Sequence, residues 1–317
     1  MALKVEKAGA SADSATSWVR EMAGKFSSAT MVKYQEPLAP KTTFRVGGAA
    51  EVFVMPGSES DLSLIVRTCH ERNTPWFVLG RGSNLLVKDG GVKGVVVSLQ
   101  VPWFSQITVK NDRLICGAGA RLRDVAMEAR RQGWTGMEFF EGIPGSVGGA
   151  LHMNAGAMGA STFDVVEKLR YLDREGTVHE CAGNEAGAEY RRCTILSNSI
   201  ALQTVFLGKP ENPEVIKERM SVFNRKRWDS QPAAPSAGCI FKNPPEGSAG
   251  KLVDECGLKG LRVGDAMVSF EHGNFIVNEG EATAKQVLEL IDLVKAKVSA
   301  AKGVNLKTEV EIVGEDE

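Results

Sequence analysis

The chain has 317 residues, with 38 Lys and Arg against 39 Asp and Glu and a formal net charge of −1, so no global positive field recommends nucleic acid or an anionic membrane as a partner. Its 43% hydrophobic content is enough to build cores for about two domains at the usual ~100–200 residues each. Glycine is in excess, 34 residues or about 11% against a usual ~7%, and 15 of the 34 fall between Gly80 and Gly159 with no triplet period, which excludes collagen-like and disordered classes.

Residues 1–36 read as an appended N-terminal extension, with a short helix around Ser17–Phe26 and then Pro37 and Pro40, which favour an extended lead into the fold. Glu51–Met55 is a strand, Asp61–Cys69 places Leu62, Ile65, Val66 and Cys69 at helical spacing, and Trp76–Leu79 is a buried-strand run. Val92–Leu99 is a further buried strand, and Arg121–Gln132 is a helix stopped by Gly133. Residues 134–160 form a long glycine-rich stretch with little apolar periodicity. After Lys209–Pro213 the composition changes: Glu214–Trp228 is a charged helix and 229–250 an irregular Pro/Gly/Ser region. Ala284–Lys302 is the clearest helix, capped by Thr283 and closed by Gly303, and Thr308–Val313 is a last strand. These elements predict an α+β chain, with an N-terminal domain over 37–209 and a C-terminal α/β domain over 215–317.

Cys69, Cys116, Cys181, Cys193, Cys239 and Cys256 are scattered, without C-x-x-C or metal-ligand spacing, and read as free thiols of a reducing compartment. No metal site is expected. With no apolar run of 18 residues and no leader pattern, a cytoplasmic protein without a membrane partner is expected.

Two glycine loops stand out. Gly80-Arg81-Gly82-Ser83-Asn84 follows a buried strand; it serves equally as a phosphate cradle or as a plain tight turn, because the third glycine and the helix of a dinucleotide fingerprint are missing. Ile143-Pro144-Gly145-Ser146-Val147-Gly148-Gly149, followed by Asn154-Ala155-Gly156-Ala157, forms a backbone surface nearly free of side chains, suited to a flat or anionic cofactor.

These loops occur in order with Thr42–Gly48, Tyr190-Arg191, Ser236–Pro244 and Leu306–Val310. Together, from about residue 37 onward, they closely resemble the UDP-N-acetylenolpyruvoylglucosamine reductases, or UDP-N-acetylmuramate dehydrogenases, of peptidoglycan synthesis. The short span between Arg191 and Arg225 resembles the subgroup that lacks an inserted tyrosine-bearing loop. The resemblance implies an FAD-binding domain of the vanillyl-alcohol-oxidase type, made of two α/β subdomains, followed by a substrate domain. It further implies noncovalent FAD, NADPH as hydride donor and a UDP-sugar substrate, with no obligatory protein partner.

Residue by residue, the resemblance places FAD on Arg45, Gly80, Arg81, Gly82, Ser83 and Asn84, then on Ile143, Pro144, Gly145, Ser146, Gly148, Gly149, Asn154, Gly156 and Ala157. Arg191 matches the family's active-site arginine and Glu309 its C-terminal glutamate. Read alone, Arg191 beside Arg192 is a solvated basic patch and Glu309 the exposed face of an edge strand. Cys239 stands where relatives commonly carry a serine acid; a thiol near pKa 8.5 can take over that role, and as an exposed thiolate it is expected to be open to alkylation, the alternative being a small buried hydrophobe. Tyr190, Arg225, Lys242, Asn243 and Lys259 are the implied substrate contacts. Arg227 is as plausible for the diphosphate as Arg225, and both read equally as the solvated end of a charged helix; His152 reads as an ordinary packed or exposed histidine. The alternatives are an FAD oxidase or dehydrogenase of a hydroxy acid or sugar, and a flavin- or nucleotide-sugar-binding protein without catalysis.

Overall fold

The computed structural model describes residues 15–316. The first fourteen residues of the expected extension lie outside them. The remainder of that extension is built into the fold. Ala15–Met22 forms a helix whose Trp18 is fully buried and donates from Nε1 to Thr74 Oγ1 at 3.1 Å. Met31–Pro37 is a strand, antiparallel to Ala49–Met55. Its solvent-facing alternate residues, such as Lys33 and Gln35, leave a weak periodic signal, which is why the prolines dominate the sequence reading.

Those two strands belong to a four-stranded sheet in the order Met31–Pro37, Ala49–Met55, Val92–Val97, Trp76–Val78, the last three parallel. Helix Glu59–Glu71 lies between Ala49–Met55 and Trp76–Val78 in sequence, capped by Ser58, whose Oγ accepts from Asp61 N at 3.1 Å. A second, five-stranded antiparallel sheet follows, ordered Val178–Ala182, Val166–Leu172, Ile200–Leu207, Arg113–Gly117, Ile107–Lys110. One core joins the two: Val52, Ile65 and Val95 from the first meet Leu114, Leu169 and Phe206 from the second, with Leu122, Val125 and Ala129 on the inner face of helix Leu122–Arg131. Within the glycine-rich stretch 134–160, the structure has a two-turn helix, Val147–Met153.

Helix Pro213–Ser230 leads to the C-terminal region, with proline at its first position and Asn212 Oδ1 accepting from Glu214 N at 2.9 Å. There a sheet ordered Ser236–Cys239, Phe275–Asn278, Ala266–Val268, Arg262–Val263 supports helix Ala284–Lys302. Val287, Leu290, Ile291, Val294 and Val298 of that helix are buried, each worth roughly 1.5–3 kcal/mol before ordering costs. Thr283 caps it and Gly303, at φ 69°, ends it as expected.

The predicted last strand is shorter, Glu311–Val313, and it leaves its own region: it pairs in parallel with Leu85–Val87, directly after the first glycine loop. Phe44, Val46 and Leu86 likewise pack in the C-terminal core, so the two halves share a seam of chain. No helix among the described residues is long and apolar enough to cross a membrane.

Candidate active site

A cleft of about 2290 Å³ opens along this seam. That is more than twice the usual upper size of ~1000 Å³ for a single small-molecule pocket, as expected where a cofactor and a second ligand sit side by side. Gly80, Arg81, Gly82, Ser83 and Asn84 line one wall; Ile143, Pro144, Gly145, Ser146, Gly148 and Gly149 line another, with Gly156 and Ala157 beyond.

Local geometry explains the glycines. Gly82 has φ 62°, and a Cβ there would lie 2.7 Å from Thr42 Cα, because the loop folds back so that Thr43 N donates to Gly82 O at 3.1 Å. Gly148 lets helix Val147–Met153 approach the second sheet, its N–H donating to Ala118 O at 2.7 Å. Gly149, by contrast, is exposed and would meet only Ser146 Oγ, so its open side belongs to the cleft. Packing thus accounts for part of the glycine run and the cleft for the rest.

Arg81 supplies the fit test for a pyrophosphate. Its guanidinium is half-buried, and burial together with neighbouring Arg121 presses its pKa down. Among the described residues no carboxylate pairs with it within ion-pair distance; Asp124 acts on it only from a distance. A desolvated, unpaired cation between backbone-lined walls, with Ser83, Asn84 and Ser146 as further donors, suits the doubly anionic pyrophosphate of FAD. Arg45 also lines the cleft, exposed and left-handed at φ 60°.

At one end of the cleft three distant residues converge. Arg191 occupies the third position of a tight hairpin turn between Ala188–Glu189 and Arg192–Cys193. Its φ is 57°, a conformation usually left to Gly or Asn and costing about 1 kcal/mol or more. Its Nε donates to Glu309 Oε1 at 2.6 Å, an ion pair of two largely buried side chains. Cys239 ends the strand Ser236–Cys239, where a register shift and Gly238 at φ 74° turn the chain. Glu309 N donates to Ile240 O at 2.7 Å, which sets Glu309 beside Cys239. The solvated-patch reading of Arg191 and the exposed-edge reading of Glu309 are therefore both replaced by half-buried, paired groups facing the cleft.

Cys239 departs from expectation. It is half-buried, not an exposed thiolate, and burial, with Glu309 adding to it and Arg191 opposing, pushes its thiol up to about 11. The group is a neutral S–H at physiological pH, poor as a nucleophile and well suited to hold a proton.

Other expected residues lie elsewhere. Asn154 is outside the cleft lining, its side chain committed to Glu189 O and Phe163 N. Of the expected substrate contacts, Tyr190, Arg225, Lys242, Asn243 and Lys259 do not line the cleft. Tyr190 is 58% exposed, with the Arg191 guanidinium 5.0 Å over its ring. Arg225 is exposed on the outer face of its helix. Lys242 is tied through its backbone N–H to Lys307 O, Asn243 accepts from Ala249 N at 3.0 Å, and Lys259 pairs with Asp254 at 3.0 Å. Arg227, the other diphosphate candidate, does line the cleft, together with Trp228, Pro232 and Pro235 from the helix end and the Pro/Ala loop after it. Arg227 is half-buried there, its pKa lowered by burial. His152 lines the cleft as well, its Nδ1 3.0 Å from Leu196 O.

Comparison with known proteins agrees with this geometry. A family model described as FAD binding domain matches residues 50–182, and one described as UDP-N-acetylenolpyruvoylglucosamine reductase, C-terminal domain, matches residues 231–313. The UDP-N-acetylenolpyruvoylglucosamine reductase of Clostridium novyi is 42% identical over 277 residues, 87% of this chain and 90% of the relative. That of Listeria welshimeri is 42% identical over 287 residues, 90% of this chain and 96% of the relative. The crystal structure of the Thermus caldophilus reductase superposes with a TM-score of 0.77 at 38% identity, covering 90% of this chain and 99% of that one. An FAD-binding region of the vanillyl-alcohol-oxidase type followed by the reductase C-terminal domain is therefore the architecture, and the chain belongs to the UDP-N-acetylenolpyruvoylglucosamine reductase family.

Proposed function

We propose that this flavoprotein reduces UDP-N-acetylglucosamine enolpyruvate to UDP-N-acetylmuramate for peptidoglycan synthesis, taking its electrons from NADPH through noncovalently held FAD. The observation that carries the reading is the convergence of Arg191, Glu309 and Cys239 at one end of the glycine-lined cleft. Residues 37–209 hold the cofactor and 215–317 present the substrate, in a cytoplasmic enzyme whose substrate is a nucleotide sugar.

FAD, when bound against Gly80–Asn84, Ile143–Gly149 and Gly156-Ala157, supplies the hydride for the vinyl carbon of the enolpyruvyl group. The residues of the chain handle the charge and the proton. As the C–C double bond opens, its electron pair moves to the carbon beside the carboxylate, and negative charge grows there. Arg191, permanently cationic, stabilises that charge from an environment where water screens little. Glu309 holds the guanidinium by its Nε, leaving the terminal N–H groups for the substrate carboxylate. Cys239 S–H then gives its proton to the carbanion, and the resulting thiolate, far more basic than an ordinary one, recovers a proton from water. Arg227, in place of Arg225, is the diphosphate contact that the cleft lining supports.

Anaerobic titration tests this reading. NADPH is expected to bleach the yellow enzyme, and UDP-enolpyruvyl-GlcNAc to restore the colour without oxygen. Colour that returns only with oxygen would mean an oxidase, and no bleaching would mean a binding protein.

A further inference from the structure

The Arg191 hairpin is held from two sides. Across the cleft, Glu309 accepts from Arg191 Nε. Behind the hairpin stands Asn154, whose Nδ2 donates to the Glu189 carbonyl at 3.0 Å. The hairpin itself is small, with two residue pairs, Ala188 with Cys193 and Glu189 with Arg192. A ladder that short is not stable by itself, and Arg191 sits at its tip in a costly left-handed conformation. The guanidinium is only as well placed as the ties that anchor the turn.

Asn154 ends helix Val147–Met153, whose first turn is part of the second glycine loop. Its backbone is left-handed, φ 40° and ψ 54°, closing the helix. Its Oδ1 accepts from Phe163 N at 3.1 Å while its Nδ2 serves Glu189. The position therefore asks for three things at once: tolerance of the left-handed region, an acceptor and a donor. Asparagine meets all three, glycine only the first, and aspartate lacks the donor. With both ends of its amide taken by main chain and no place in the cleft lining, the side chain is not spent on a ligand.

We propose that Asn154 is a positioning residue: through the Glu189 carbonyl it sets the Arg191 guanidinium relative to the helix that seats the cofactor. A weaker link of the same kind joins the first glycine loop to Glu309, where Asn84 Nδ2 donates to Glu309 O at 3.3 Å. The inference rests on Arg191 being the group that stabilises the growing charge.

The test uses FAD-loaded Asn154→Gly and Asn154→Asp enzymes, each alone and Asn154→Gly also combined with Arg191→Ala. Flavin content and the rate of bleaching by NADPH should match wild type, because the cofactor walls are intact. Reoxidation by UDP-enolpyruvyl-GlcNAc should slow about tenfold in both single variants, the scale expected when a catalytic group is slightly misplaced. In the Arg191→Ala background the same Asn154→Gly change should cost less than about twofold, since the group it positions is gone. Independently of activity, trypsin should cut after Arg191 or Arg192 on the order of tenfold faster in Asn154→Gly. Loss of flavin, equal slowing of both half-reactions, an undiminished reoxidation rate, or an undiminished cost in the Arg191→Ala background would each overturn the inference. A slow Arg191→Ala enzyme beside a fast Asn154→Gly enzyme overturns this inference alone; a fast Arg191→Ala enzyme overturns the assignment of Arg191 and this inference with it.

Discussion

The cleft is lined on two opposite plans. The walls proposed to seat the cofactor are main chain: Gly80–Asn84 and Ile143–Gly149 are continuous stretches, each shaped by its immediate surroundings, with Arg81 as the main charged side chain. The proposed chemical group is side chain: Arg191, Cys239 and Glu309 come from a hairpin tip, a strand end and the chain returning from the last helix, and the Arg191–Glu309 pair alone spans 118 residues. Backbone recognition is local and leaves a compositional trace. Chemistry assembled from distant single residues leaves none, and it depends on the ties that carry each residue into place.

This contrast can be broken at either end. The largest effect is expected from Arg191→Ala: reoxidation of reduced enzyme by substrate should fall about 10²–10³-fold, the usual loss on removing one charge-stabilising donor, with NADPH bleaching intact. Stopped-flow absorbance separates the two half-reactions. Glu309→Gln keeps the shape but removes the ion pair, and roughly tenfold to 10²-fold loss in the same step should follow from a loosened guanidinium. At the other end, Gly82→Ala must adopt φ 62° and place a methyl 2.7 Å from Thr42 Cα, so FAD affinity should weaken about tenfold by fluorescence titration, with the chemical step retained in the loaded fraction. The smallest differences concern the helix end: Arg227→Ala should raise the substrate KM several-fold, while Arg225→Ala, on the exposed face, should leave it within about twofold.

The strongly periodic parts of the fold were legible from residues alone. Helix Ala284–Lys302 has its cap, its stripe and its stop written in Thr283, the spacing of Val287 to Val298, and Gly303. Of the glycine loops, the second read as a surface for a cofactor, while the first read equally as a tight turn. What stayed hidden depended on partners far away in sequence. Met31–Pro37 is a strand because Ala49–Met55 pairs with it, and Glu311–Val313 reaches back to Leu85–Val87, which no pattern in either segment foretells. Val147–Met153 is a helix in spite of two glycines, held by its Ser146 cap and by packing against Ala118. Asn154 stood in the cofactor motif, yet its amide bonds the Glu189 carbonyl, and the left-handed backbone at Arg191 is a property that sequence does not display. The family resemblance named Cys239, but its half-buried setting beside Glu309 decides what kind of acid it is.

That setting has a pH signature with a definite sign. A thiol raised to about 11 stays protonated, and so competent as a donor, until pH approaches that value. Alkylation, which needs the thiolate, should be slow at pH 7 and climb about tenfold per pH unit toward 11, whereas an ordinary thiol levels off near ~8.5. The proton donor itself is tested most directly by mixing NADPH-reduced enzyme, without oxygen, with UDP-enolpyruvyl-GlcNAc and following the return of flavin colour in wild type, Cys239→Ser and Cys239→Ala. The predicted result is a loss of at least about 10²-fold for alanine, with serine in between. Return of colour in Cys239→Ala at the wild-type rate would contradict the account.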